Sequence, residues 1–335
     1  MEIKCKKVLG KIIVCCLLPM LSLAQLKRYQ LTQPKMGSPF TITLYHHDSL
    51  DALNKMQQAF RLVDTMNAMF SDYDSLALAY KMSDAKANEW ITVPEEMMRV
   101  LLMSKKAHQV SEGKFDVTMG ALSRLWRKQR KLEQFPSAEA VKAVLTHTGW
   151  DKVELDGANL HIRKKDGALL FDFGGIAKGY AAQRVVDFLA ASGIPSSLVD
   201  AGGDIACGVA PPEKAGWSIA VNLPQQEEKT WPGRLYLQHK SVATSGDMYQ
   251  VMEHDGKFYS HIIDPSTGYG GVNRRNVTVI ASEGATADWL ATAFSLLPMK
   301  RVRRLAKKMK ADFLIAEMEN EKPITYRSRH FPRLQ

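Results

Sequence analysis

The feature that most constrains this chain is the irregular alternation of short strand segments with amphipathic helices, many neighbouring strands being separated only by short turns. A doubly wound parallel sheet needs a long crossover after each strand, whereas strands joined by tight turns pair antiparallel. The pattern therefore predicts a mixed α+β fold with largely antiparallel sheets and packed helices. Residues 40–45 alternate as a half-buried strand should, and 51–67 follow with Leu53, Met56, Phe60 and Val63 at helical spacing. A second helix is expected over 94–112, stopped by Gly113, and a short one behind the cap Ser137, ending near Gly149. Strands are expected at 153–155, 160–163 and 168–173, then a helix over 176–191 and a strand at 197–200. The last third predicts strands at 218–221, 234–238, 276–281 and 313–317, with helices over 285–295 and 299–309 between the last two. Residues 211–233, rich in Pro, Gly and charge, read as an irregular excursion from one domain spanning 25–335. With 45% of 335 residues hydrophobic, the chain can bury a substantial core.

The first 24 residues read as an export signal outside the fold. Lys4, Lys6, Lys7 and Lys11 form a basic front, an apolar run follows to Leu23, and Ser22 and Ala24 supply small residues at a cleavage site. The run is short of the roughly 20 residues a membrane span needs. Cleavage after Ala24, giving a periplasmic protein, is the preferred reading, with a lipid-linked or uncleaved membrane anchor as the alternative. Of the four cysteines, Cys5, Cys15 and Cys16 lie in this leader, so cleavage leaves Cys207 alone. One cysteine excludes an internal disulfide and a cysteine-based zinc site.

The leader carries four Lys and one Glu, so its loss lowers the formal charge from +10 to +7. Much of the remainder falls in Lys300, Arg301, Arg303, Arg304, Lys307, Lys308 and Lys310, with Val302, Leu305, Ala306 and Met309 between them at helical spacing. The plain reading of residues 300–310 is a solvated basic face; the sharper one is peripheral contact with an anionic membrane or an acidic partner. Nothing in this balance demands nucleic acid.

Four segments carry chemistry. Asp172-Phe173-Gly174-Gly175-Ile176-Ala177-Lys178-Gly179-Tyr180 is a strand end, a glycine pair and a helix start. Such a turn lets backbone approach a ligand closely and presents free N–H groups to an anion such as a pyrophosphate, although the same pattern also makes an ordinary tight turn. Asp200-Ala201-Gly202-Gly203-Asp204 is a second such turn after the next strand. In Ser260-His261-Ile262-Ile263-Asp264-Pro265-Ser266-Thr267-Gly268-Tyr269, turn-forming residues follow a histidine that could take a proton from an attacking hydroxyl. Asp288 and Thr292 lie four apart on a predicted helix, hence on one face. A carboxylate beside a hydroxyl suits a hard cation such as Mg²⁺, though a helix-start Asp and a Thr bonded to backbone would look the same.

Together these segments resemble the FAD:protein FMN transferases, the ApbE family. The resemblance also rests on Met36-Gly37-Ser38-Pro39-Phe40, Phe70-Ser71-Asp72-Tyr73-Asp74-Ser75, Gly113-Lys114-Phe115-Asp116-Val117-Thr118-Met119-Gly120 and Val242-Ala243-Thr244-Ser245-Gly246-Asp247, all in the expected order. It implies the T-fold-like α+β architecture of that family. It implies that Met36, Tyr73, Lys114, Phe115, Asp116, Asp172, Lys178 and Ile263 line the FAD site. It implies Mg²⁺ held by the Gly175 carbonyl and the side chains of Asp288 and Thr292, with His261 as the base. Some relatives have an acidic residue where Ala291 stands, so this ligand set has one carboxylate fewer.

The implied activity is Mg²⁺-dependent transfer of the FMN moiety of FAD to a threonine of an acceptor flavoprotein, in a respiratory or other exported redox system, with release of AMP. Two alternatives keep the same residues: an FAD pyrophosphatase with water as nucleophile, and an FAD-binding protein without catalysis. Glu283-Gly284-Ala285-Thr286 ends in the Gly-Ala-Thr of acceptor motifs but lacks the preceding Ser or Thr, so a helix-entry turn is preferred over self-flavinylation.

Overall fold

The computed structural model describes residues 25–221, 233–246, 251–272, 274–319 and 322–334. The leader, part of the 211–233 excursion and Asp247 therefore lie outside the described residues. No helix among the described residues is long and apolar enough to cross a membrane.

In chain order the elements are β1 (Lys27–Lys35), β2 (Ser38–His46), α1 (Ser49–Phe70), α2 (Leu78–Asp84), β3 (Ile91–Thr92), α3 (Glu95–Val110), α4 (Gly120–Lys131) and α5 (Ala138–Leu145). Then come β4 (Val153–Asp156), β5 (His161–Lys164), α6 (Ala177–Ala191), β6 (Ser197–Ala201), β7 (Ile205–Cys207), β8 (Trp217–Ala220), β9 (Arg234–Leu237) and β10 (Lys240–Gly246). The chain continues through β11 (Val251–His254), β12 (Lys257–Ser260), β13 (Arg275–Ala281), α7 (Gly284–Leu296), α8 (Met299–Met309), β14 (Asp312–Glu319) and β15 (Lys322–Arg327).

One eight-stranded sheet, in the order β1-β2-β6-β7-β10-β13-β14-β15, forms the frame, and every neighbouring pair in it is antiparallel. The α+β class with antiparallel sheet read from the sequence is thus the observed one. Side chains alternate across the pleat. Val277, Val279, Phe313 and Ile315 face the main core with α1, α6, α7 and α8. Ile280, Leu314 and Ala316 face the opposite side, where Trp217, Ile219, Leu235 and Leu237 of the β8–β9 hairpin cover them. Both faces of β13 are covered, which is why it is buried from end to end.

An apolar stripe sets the buried face of each long helix, and α1 and α5 also start at a side-chain cap. Asp48 caps α1 by accepting from the N–H groups of Leu50 and Asp51 at 2.7 and 2.8 Å, and Met56, Ala59, Phe60, Val63, Met66 and Phe70 make its buried face. Ser137 caps α5. In α8, Val302, Leu305 and Ala306 are buried while the seven basic residues named above are exposed, Arg301 pairing with Glu112 at 2.7 Å.

One expected strand is absent. Residues 168–173 bury alternate side chains, Leu169, Phe171 and Phe173, yet their only strand-type pairing among the described residues is an isolated bridge between Met119 and Leu170. Their polar groups are satisfied by loops and helix ends. Phe171 N–H donates to Ser83 Oγ at 2.9 Å, Asp172 N–H to the Val117 carbonyl at 2.8 Å, and Gly120 N–H to the Leu170 carbonyl at 2.9 Å. Lys164, itself buried, donates from Nζ to the carbonyls of Ser83, Gly167 and Leu169. An apolar, strand-like run here serves as a buried strap leading into Asp172. Sequence pattern alone cannot tell such a strap from a strand, because both bury alternate side chains.

Candidate active site

A cavity of about 500 Å³ opens where the start of α6, the middle of α7, one face of α4, the end of β10 and the loop after β12 converge. Tyr73, Lys114, Phe115, Asp116, Asp172, Gly175, Lys178, His261, Ile263, Asp288 and Thr292 all line it. Met36 is not on its wall; it sits in the tight turn between β1 and β2 with φ 50° and packs against the main core.

The close crossing of α6 and α7 builds the deepest part. A Cβ on Gly179 would lie 2.3 Å from the Gly284 carbonyl oxygen, and one on Gly284 would lie 2.0 Å from that of Gly179. Only two glycines allow this approach, and through it Gly179 N–H donates to Asp288 Oδ2 at 3.0 Å. Glu283–Thr286 is accordingly a helix entry, with Glu283 at the cap and Gly284 the first residue of α7. One turn further along α7, Thr292 faces the glycine turn, since a Cβ on Gly175 would come within 2.9 Å of Thr292 Oγ1 and 3.2 Å of the Phe115 ring. Asp172 stabilises that turn by accepting from Gly174 N–H at 2.8 Å.

Charge in this corner is unbalanced. Asp204, from the second glycine turn, accepts from Lys178 Nζ at 2.5 Å, and both Asp204 and Asp288 are buried. Burial raises the Asp288 carboxyl well above its ordinary range, and the neighbouring Asp204 adds to the rise against the pull of Lys178. Burial also raises Asp204, against the attraction of Lys178. Burial opposes the charge on Lys178, but Asp204 and then Asp288 outweigh it and hold the ammonium above its usual value. Two buried carboxylates around one ammonium leave negative charge that a cation would relieve.

The donor set suits a hard ion. The Asp288 carboxylate, Thr292 hydroxyl and Gly175 carbonyl are all oxygen, and Mg²⁺ commonly takes few protein ligands and completes its shell with water and substrate phosphate. Among the described residues no three His, Cys, Asp or Glu side chains gather as a metal cluster, so a zinc-type site is not offered there.

His261 follows β12 in a loop pinned by backbone bonds: Ser260 N–H to Gly271 O at 2.8 Å, Gly271 N–H to Ile262 O at 2.9 Å and Asp264 N–H to Tyr269 O at 2.8 Å. Trp126 Nε1 donates to the Gly268 carbonyl at 2.8 Å and ties the loop to α4. Burial, followed by the positive charges of Arg130 and Lys178, lowers the His261 imidazole to about 4. The ring is therefore neutral at physiological pH and able to accept a proton. On the same loop Asp264 fixes Lys114 at 2.6 Å, with Ser266 Oγ accepting from Lys114 Nζ at 2.9 Å. Asp116 is buried, accepting from Thr118 N–H and Oγ1 at 2.8 and 2.6 Å, with His108 Nδ1 3.2 Å away.

Several wall residues were not singled out from the sequence. Ser123, Arg127 and Arg130 lie on one face of α4, with Met119, from the 113–120 segment above, at its cap. Arg127 is held by Asp72 and lies over the Tyr73 ring at 4.3 Å, while Tyr73 itself is 77% exposed at the mouth. Thr244, Ser245 and Gly246 at the end of β10 close another side.

His261 and Asp288 thus line the same cavity. Comparison with known proteins gives the protein's class. The family model described as "ApbE family" matches residues 36–315. A curated relative named FAD:protein FMN transferase, from Klebsiella pneumoniae strain 342, is 28% identical over 270 residues, covering 80% of this chain and 82% of that protein. Among solved structures, the flavin transferase ApbE from Vibrio cholerae superposes with a TM-score of 0.82 at 26% identity, covering 91% of this chain and 98% of its own. The ApbE protein of Thermotoga maritima MSB8 gives 0.81 at 30% identity, covering 90% and 97%. The chain belongs to the ApbE family.

Proposed function

We propose that this enzyme moves the FMN moiety of FAD onto a threonine hydroxyl of an exported acceptor flavoprotein, with Mg²⁺ bound, and releases AMP. The observation that carries the reading is the convergence of Asp288, Thr292, Gly175, Lys178 and His261 on one cavity. Its relatives' names supply the flavin and the transfer.

Each residue has a task in the reaction. Asp288, Thr292 and the Gly175 carbonyl would hold the metal, which supplies charge neutralisation to the pyrophosphate and to the departing AMP. Lys178, in the first turn of α6, binds a pyrophosphate oxygen. Tyr73, Phe115 and Ile263 supply apolar surface for the flavin rings. His261 takes the proton from the acceptor threonine as its Oγ attacks the FMN-side phosphorus. The new O–P bond forms as the P–O bond to AMP breaks, and the proton on His261 passes to solvent.

Export belongs to the same proposal: residues 1–24 act as a cleaved leader, and 25–335 work in the periplasm as one transferase domain. The basic face of α8 takes no part in this chemistry. Contact with an anionic membrane through it is a separate proposal, read by sedimentation with anionic vesicles.

The test mixes the protein lacking residues 1–24 with FAD, Mg²⁺ and an acceptor domain bearing the threonine, then measures protein-bound flavin and free FMN. Bound flavin is expected. Free FMN alone would make the enzyme a pyrophosphatase, and neither product would leave a binding protein.

A further inference from the structure

Asp204 has no task in the reaction above, yet it is buried on the cavity wall and grips Lys178 at 2.5 Å. Lys178 is also close to a second carboxylate. The residue next to it, Gly179, donates its N–H to Asp288 Oδ2 at 3.0 Å, and its α-carbon comes so near that an added Cβ would lie 2.7 Å from Asp288 Cβ. The Lys178 ammonium feels both buried carboxylates, Asp204 first and then Asp288, the one assigned to the cation. An ammonium paired with Asp288 would occupy the lone pairs that a divalent ion needs.

We propose that Asp204 is a positioning residue that holds the Lys178 ammonium away from Asp288 and so keeps the Asp288 carboxylate for a divalent cation. This rests on the reading of Asp288 as a metal-holding residue. The positions of the two acids favour it. Asp204 comes from the turn after β6 and Asp288 from α7, so they approach Lys178 from different elements, and the close ion pair that Lys178 makes is with Asp204, at 2.5 Å. Asp204 is fixed at the end of β6, where the Asp204 carbonyl accepts from Ala201 N–H at 2.9 Å. Its carboxylate cannot follow the lysine.

The test is Mn²⁺ binding to the FAD-free protein, read by electron paramagnetic resonance, in wild type, Asp204→Asn, Lys178→Met and the double variant. Asp204→Asn keeps the shape and removes the charge that retains Lys178, so its Mn²⁺ dissociation constant is expected to rise about tenfold or more. Adding Lys178→Met removes the competing ammonium and is expected to restore binding to within about threefold of wild type. Lys178→Met alone is expected to bind Mn²⁺ at least as tightly as wild type. Unchanged affinity in Asp204→Asn overturns the proposal. So does a loss that the double variant fails to recover, because the damage would then be structural, and so does weaker binding in Lys178→Met. Where wild type binds Mn²⁺ only with FAD present, the same four proteins are compared in its presence; wild-type protein that binds no Mn²⁺ with or without FAD would instead remove the metal reading beneath it, a result distinguishable from all the others.

Discussion

Gly179→Ala tests the helix crossing on which the placement of Asp288 depends, and the sign of its effect decides the matter. In an unobstructed helix the change would stabilise the fold by up to about 1 kcal/mol, because alanine is the better helix former. Here the new methyl would sit 2.3 Å from the Gly284 carbonyl oxygen and 2.7 Å from Asp288 Cβ, both parts of a packed partner helix. Restoring ordinary contact requires α6 and α7 to separate by roughly 1 Å, and overpacking of this kind costs about 1–3 kcal/mol. For a domain of this size that lowers Tm by a few degrees, about 2–4 °C per kcal/mol. The same separation stretches the 3.0 Å bond from Gly179 N–H to Asp288, and a misplacement near 1 Å at a reacting centre costs on the order of 100-fold in rate. Thermal unfolding and flavin transfer measured on one preparation give both numbers. A variant that is more stable than wild type and fully active would refute the crossing as described.

Other substitutions probe single roles. His261→Ala is expected to abolish transfer while retaining FAD, read by flavin fluorescence; full transfer would end its role as base. A ring-proton NMR titration should place His261 near pH 4, against an ordinary value of 6.5, and a midpoint above 6 would contradict the burial described. Because the folded value is the lower one, the unfolded chain takes up its proton first, and this group's share of stability is lost as pH falls from 6.5 towards 4. Asp288→Ala should leave FAD cleavage insensitive to added Mg²⁺, at a rate reduced by at least 100-fold; retained Mg²⁺ dependence would move the metal elsewhere. Lys164→Met strips the Ser83, Gly167 and Leu169 carbonyls of their donor, at about 1–3 kcal/mol for each left unsatisfied, and chemical denaturation should show a loss of several kcal/mol.

The parts of the site legible in the sequence are those whose chemistry lies within a few residues. Asp288 and Thr292 share a helix face by spacing alone, the Gly174–Gly175 turn announces the start of a helix, and the turn residues after His261 foretell a rigid loop. The contacts between distant segments were not legible. The grip of Asp204 on Lys178 joins two turns that each read as generic, and the Gly179–Gly284 crossing pairs residues more than a hundred positions apart. Arg127 and Arg130 were missed because α4 sets its apolar stripe, Leu122 and Trp126, against a small core of its own, while Ser123, Arg127 and Arg130 form a separate polar face whose role only the fold reveals. The same logic explains the mistaken strand at 168–173. Alternating burial signals an extended buried segment, and whether its backbone pairs with a strand or with loops is settled only by the fold around it.

The central claim is that FMN leaves FAD for a protein hydroxyl. Mass spectrometry of an acceptor domain after incubation with this enzyme, FAD and Mg²⁺, with AMP quantified in the same sample, tests it most directly. The account predicts one FMN added through a phosphoester to the acceptor threonine, one AMP released per transfer, and no addition when that threonine is replaced by valine. An unmodified acceptor alongside stoichiometric free FMN and AMP would contradict it.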